Sequence, residues 1–180
     1  FPAPNDGAAF CAVVAGEGGP AQGNQQLSVY SDYNNLAHGN LDWVIETNVY
    51  REQTIDASAV GKTVFFTVDA KLGNLEGGSE AEAFIKTPDP GAGWATTNHV
   101  TADMTVIPTT WGTYTIELTI DGGLVGQVLQ FGFTTRASNY EGSGIIYDNV
   151  NFDVPASSVT LRKTSSFILS VHDHDGSGDL

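Results

Sequence analysis

Two acidic patterns in this chain have the spacing to hold a divalent cation. In Gly142–Val154, the residues Ile146, Asp148, Val150, Phe152 and Val154 alternate with Tyr147, Asn149, Asn151 and Asp153. Successive strand side chains take opposite faces, so the segment is expected to be a half-buried strand with Asp148 in phase with four apolar residues. A carboxylate aimed at a core needs a cation, several hydrogen-bond donors or a shifted pKa. The 180 residues include only 7 Lys and Arg, so a bound metal competes with pairing to Arg51 or Arg136 and with capping of backbone N–H groups.

The second pattern is Asp173-His-Asp-Gly-Ser-Gly-Asp-Leu180. Asp173, Asp175, Ser177 and Asp179 fall at the alternating positions of an EF-hand-like calcium loop, with Gly178 where such a loop turns sharply. The bidentate Glu expected at the twelfth position is not among the residues given. The alternative is a solvated Asp/Gly linker. His172 and His174 flank these acids, but spaced His without Cys do not make a zinc site.

The surrounding elements must position these groups. Strand-like alternation recurs at Gln25–Tyr30, in Trp43–Ile55, and at Val64–Leu72. It returns at Ala81–Ile85, Tyr114–Ile120 and Leu129–Phe133. Glu80–Lys86 also fits a short helix, too short to stand alone. Turn chemistry separates the segments at Ser31–Asn35, Val60–Lys62, Gly73–Ser79, Pro88–Trp94 and Asp121–Gly123. Many short strands without an amphipathic helix predict an all-β, antiparallel sandwich. We expect an entry segment or edge strand over 1–15, a sandwich over 16–155, and a C-terminal extension over 156–180.

Composition narrows the function classes. A net charge of −14 excludes a phosphate-tracking surface and an anionic membrane surface, and no apolar run reaches spanning length. Cys11 is alone, so it forms no internal disulfide and reads as a small buried apolar residue. The opening Phe1-Pro-Ala-Pro4 is read as that of a processed or excised product. The 21 acidic residues make carboxylate pairs inevitable, and no spacing nominates a glycosidase pair. His38, His99, His172 and His174 lack metalloprotease spacing, and no Ser sits in a Gly-x-Ser-x-Gly turn. No catalytic residue is predicted.

Four passages carry a family resemblance: Gly18–Val29, the block from Gln53 through Val60-Gly-Lys62 to Phe66, Thr110–Leu118, and Ile145–Phe152. Their order resembles the calcium-containing jelly-roll carbohydrate-binding modules attached to secreted bacterial xylanases and glucanases, and related secreted bacterial domains. The resemblance implies a galactose-binding-like jelly roll, a secreted, extracellular setting and a polysaccharide or glycan partner. It also implies that Asp148 helps hold a structural Ca²⁺ with oxygens from the entry segment, where Glu17 is the candidate second ligand.

Carbohydrate recognition uses aromatic faces for the apolar side of a sugar and polar groups for its hydroxyls. Trp94 in the Pro88–Trp94 loop, Trp43 after the polar Asn34–Asp42 stretch, and Tyr140 between Asn139 and Glu141 are the candidate platforms. Trp111 is expected to be structural. A second function class remains open: a subunit of an extracellular filament, surface layer or adhesin. There the Phe1–Val14 or Phe167–Val171 run would add a strand to the sheet edge of another copy.

Overall fold

The computed structural model describes residues 11–31, 44–138 and 141–154. Nine strands form two antiparallel sheets: β1 (Cys11–Ala15), β2 (Gln25–Ser31), β3 (Val44–Thr54), β4 (Thr63–Leu75), β5 (Glu80–Asp89), β6 (Ala95–Asp103), β7 (Gly112–Thr119), β8 (Val128–Ser138) and β9 (Ser143–Asp153). The sheets run β1-β2-β9-β4-β7 and β3-β8-β5-β6. That interleaving of consecutive strands between two sheets is a jelly-roll sandwich.

The sequence alternation explains which face of each strand turns inward. Val64, Phe66, Val68 and Ala70 of β4 enter the core, as do Ala81, Ala83 and Ile85 of β5. Opposite them lie Leu129 and Phe133 of β8 and Ile145 and Tyr147 of β9. Phe133 and Tyr147 stack across the sandwich at 3.8 Å between ring centres, and Phe66 touches both Phe131 and Phe133 at 5.4 Å. Glu80–Lys86 is therefore strand, because its alternation is satisfied by a sheet on one side and a core on the other.

One expected phase is corrected. Asp148 does not point into the core, although Phe152, expected in the same phase, packs against it. Ile145 and Tyr147 are the buried residues of early β9, so Ile146 and Asp148 take the outer face. Asn149 then adopts φ 47°, and the register against β4 slips from Asp69↔Asp148 to Thr67↔Asn151. This bulge adds one residue to β9 and turns the phase over, so Phe152 packs against the core although it is four residues past Asp148.

β6 has no counterpart in the strands expected from sequence. It lies at the edge of its sheet, and only Val100 and Ala102 pack against the core.

Candidate functional site

Two polar constellations emerge, one on the outer face of each sheet. On the four-stranded sheet, the residues pointing away from the core are Glu46, Asn48, Tyr50 and Glu52 of β3, Gln130, Gly132, Thr134 and Arg136 of β8, Glu82, Phe84 and Lys86 of β5, and His99 and Thr101 of β6. Tyr50, Gly132, Phe84 and Thr101 lie in register along one line across the sheet. Gly132 lets the chain at Tyr50 approach: a Cβ there would meet the Val49 carbonyl and lie 2.6 Å from Tyr50 Cα. Tyr50 is 47% exposed, whereas Phe84 is 1% exposed although it is on the outer face. Neighbours cover Phe84: His99 meets it edge-on at 6.1 Å, and Lys86 Nζ sits 4.7 Å from its ring centre and 5.8 Å from that of Tyr50. The ammonium thus lies between two aromatic faces, a favourable cation–π position.

A hydrogen-bonded network borders this aromatic line. Arg136 donates from Nε to Glu46 Oε2 at 2.8 Å and from Nη2 to Glu82 Oε1 at 3.3 Å. Asn48 donates to Glu46 at 2.6 Å and accepts from Thr134 at 2.7 Å, while Gln130 donates to Glu52 at 2.7 Å. His99 Nε2 lies 3.4 Å from Glu82. Burial pushes the Glu46 carboxyl up, but hydrogen bonds from Asn48 and Arg136 and the nearby positive charge outweigh it and hold the group below its usual range. Where the network ends, Glu80, Glu82, Thr101, Asp103, Thr105 and Arg136 line a hollow of about 230 Å³. Fixed amides, carboxylates and a guanidinium beside an aromatic face suit a ligand that carries many hydroxyls.

Of the predicted platforms, Trp94 falls at one end of this sheet. Trp94 is 62% exposed at the tip of the β5–β6 hairpin, with φ 68°. Its N–H donates to the Asp89 carbonyl at 2.8 Å, and Asp89 Oδ1 accepts the Gly91 N–H. Thr97 bonds the Thr87 carbonyl at 2.8 Å and Gln127 Oε1 at 2.6 Å, so the hairpin base is pinned to the neighbouring loop. A non-Gly residue held at positive φ with its indole outward is a strained, presented side chain. Trp43 and Tyr140 lie outside the described residues. Asp173, Asp175, Ser177 and Asp179 also lie outside the described residues.

The second constellation surrounds the entry turn between β1 and β2. Asp69 of β4 and Asp148 of β9 share a rung, an acidic pair that sequence reading missed because the strands are far apart in the chain. Asp69 accepts from Thr113 at 2.6 Å, Asn149 at 2.7 Å and Gln22 at 2.9 Å. Burial raises the Asp69 pKa, but these donors outweigh it and leave the carboxyl below its usual range. Asp148 Oδ1 accepts the Asn149 N–H at 2.6 Å, and neither Arg51 nor Arg136 reaches it. Glu17 turns its carboxylate to Lys71 at 2.7 Å, and its carbonyl accepts the Trp111 indole N–H at 3.2 Å. Trp111 therefore clamps the entry turn, with Lys71 Nζ 5.4 Å from its ring centre.

Gln26 tests whether this turn suits a cation. It is 2% exposed, and its Nε2 faces three oxygens: Gln22 O at 2.8 Å, Gly23 O at 3.2 Å and Asp148 Oδ2 at 3.4 Å. An amide NH₂ has two hydrogens for those three acceptors, while Gln26 Oε1 is buried without a donor. Turning the amide over would bring a fourth oxygen to the same point, an arrangement that only a positive charge there makes favourable. No group of three or more His, Cys, Asp or Glu side chains gathers as a metal centre among the described residues. The fit therefore rests on carbonyl and amide oxygens plus Asp148, a set suited to a hard cation.

No family model and no curated protein matches the chain. Solved structures do. The xylan-binding domain CBM22-1 from Paenibacillus barcinonensis Xyn10C is similar over 84% of this chain and 88% of its own, with 11% identity and a TM-score of 0.50. The enzymatically active domain of tailspike protein 4 from bacteriophage CBA120 is similar over 83% of this chain, with 13% identity and a TM-score of 0.54. That match spans 18% of the tailspike chain. At such identities the likeness establishes the jelly-roll β-sandwich alone, and a jelly roll hosts many functions. No helix among the described residues is long and apolar enough to cross a membrane.

Proposed function

We propose that the protein is a noncatalytic, secreted carbohydrate-binding module that lays a glycan along the outer face of its four-stranded sheet. The observation that carries this reading is the line Tyr50–Gly132–Phe84, bordered by Asn48, Gln130, Glu82 and Arg136. A sugar ring stacks its apolar face on Tyr50, and the fixed amides and charged groups orient its hydroxyls. Trp94 extends the aromatic surface at one end of the sheet, and Trp43 and Tyr140 are the further proposed platforms. Catalysis is not part of the reading: no spacing of carboxylates in the sequence nominates a glycosidase pair.

Calcium is the proposed structural cofactor. Asp148, the Gln22 and Gly23 carbonyls and a turned Gln26 amide would hold it at the entry turn, with Asp69 fixing the turn through Gln22 and Asn149. Glu17 contributes as the partner of Lys71, close to that turn. Asp173, Asp175, Ser177 and Asp179 form a second proposed calcium loop. A ligand bound only by the folded state adds RT ln(1 + [L]/Kd) to stability, so a chelator should lower the unfolding midpoint of the wild type. Asp148→Ala should begin lower and lose the part of the chelator's effect that belongs to the entry turn; an unchanged wild type would remove calcium from the account.

The glycan reading is tested by retardation in gels containing soluble polysaccharides, beginning with xylan because one protein of this fold binds it. Tyr50→Ala is expected to weaken retardation at least about tenfold, or ~1.4 kcal/mol. Equal retardation of wild type and variant would move the site elsewhere. A second reading, a filament, surface-layer or adhesin subunit built by strand addition, is favoured by β1, an edge strand with Val13 67% exposed. It predicts assembly that grows with protein concentration.

A further inference from the structure

Lys86 stands where a ligand on the four-stranded sheet would lie. It shares a row across the sheet with Glu52, Gln130 and His99, next to the row that holds Tyr50, Gly132 and Phe84. Its ammonium lies over the rings of that neighbouring row, 4.7 Å from the Phe84 centre and 5.8 Å from that of Tyr50. Phe84 is covered, so Tyr50 is the aromatic of the line that a ligand can reach, and Lys86 is beside it.

Most other charges on this face already have partners. Arg136 holds Glu46 at 2.8 Å and Glu82 at 3.3 Å, and Glu82 also lies 3.4 Å from His99 Nε2. Glu52 accepts the Gln130 amide at 2.7 Å, and Asp103 accepts the Thr105 backbone N–H at 2.8 Å. Glu80 is separated from Lys86 along β5 by about 20 Å of extended strand. Lys86 differs from Arg136 in having no ion pair with any carboxylate among the described residues. An ammonium held over aromatic faces keeps N–H donors turned to solvent, so it can take an anion without leaving the rings.

We propose that the glycan laid on this face is an acidic polysaccharide, and that Lys86 selects it by pairing with the anionic group of a sugar ring stacked on Tyr50. This ligand class, which rests on the glycan reading above, comprises rings that carry a carboxylate, as uronates do, or a sulfate ester. Stacking on Tyr50 leaves the edge of the ring free, and a substituent on that edge meets Lys86 from the neighbouring row. A neutral hydroxyl gains little from an ammonium that water also solvates, whereas an anion gains a charge-assisted bond. Gln130 and His99 flank Lys86 in register and bring no negative charge. The net charge of −14 opposes an acidic partner at a distance, but salt screens it over about 8 Å at physiological ionic strength, so the contact itself is decided by these neighbours.

The test is titration calorimetry of the full chain at fixed calcium and physiological ionic strength, with two matched pairs of oligosaccharides. One pair is a galacturonate oligomer and its methyl ester; the other is a sulfated galactose oligomer and its desulfated form. Wild type should bind the acidic member of at least one pair about tenfold more tightly than the neutral member, and the pair that shows it tells carboxylate from sulfate. Lys86→Met keeps an aliphatic cover over Phe84 and should bring the two members within about twofold, while Lys86→Arg should keep the preference. Equal binding of both members by wild type, or a preference that survives Lys86→Met, overturns the proposal. Tyr50→Ala separates it from the glycan reading. A neutral glycan that is lost in Tyr50→Ala but unaffected by Lys86→Met leaves the glycan face standing and removes the acidic ligand. No binding to any of the four oligomers or to neutral polysaccharides such as xylan removes both.

Discussion

The two halves of β9 are one continuous strand in opposite surroundings. From Ser143 to Tyr147 it lies between β2 and β4, and Ile145 and Tyr147 are fully buried. From Asn149 onward β4 is its one partner among the described strands, and Val150 and Val154 are substantially exposed. The alternation of residue types hardly changes between the halves. What changes is a left-handed Asn149, which inserts one residue, reverses the inward face and frees Asp148 to join Asp69 and the entry turn. A strand pattern thus tells which residues share a phase only until a bulge intervenes.

The largest expected effect that separates the halves comes from truncation. Ile145→Ala should destabilise the fold by about 3 kcal/mol, within the range for a fully buried Ile. Phe152→Ala should cost less, about 2 kcal/mol, because its ring is only half-covered by the described residues. Urea unfolding of both variants checks the order, and a larger loss at Phe152 would mean that the second half of β9 is as well packed as the first.

A smaller effect is expected at the junction. Asn149→Val places a β-branched residue at φ 47° and removes the bonds to Asp69 and Ala21, at a cost of about 2 kcal/mol. Asn149→Gly keeps the backbone conformation and should cost roughly 1 kcal/mol, from the hydrogen bonds alone. Thermal unfolding that ranks Gly below Val would show that the bulge does not depend on left-handed backbone at this residue.

Much of the sandwich was legible because half-buried strands alternate: β4, β7 and β8 can be read directly from Val64–Leu72, Tyr114–Ile120 and Leu129–Phe133. β6 could not, since Ala95–Asp103 is Thr-rich and offers only Val100 and Ala102 to the core. The bulge was hidden because Asn tolerates the left-handed region without interrupting the polar–apolar rhythm. The candidate glycan face was hidden for a different reason. Tyr50, Phe84 and Gln130 come from separate segments and meet only through register, and Phe84 looked like one more apolar residue beside Ile85. Its alternation with Glu82 and Lys86 was the available signal. Exposed Trp94, by contrast, was legible from its Gly/Pro-rich loop.

The most direct test of the central claim is to map glycan contacts on isotope-labelled protein by NMR, titrating a soluble oligosaccharide from the polysaccharide that best retards the wild type. The account predicts concentration-dependent shifts at Asn48, Tyr50, Phe84, Lys86, His99 and Gln130, with the outer face of the five-stranded sheet unmoved. Shifts confined to the entry turn and β4–β7, or no retardation by any polysaccharide in the panel, would contradict it.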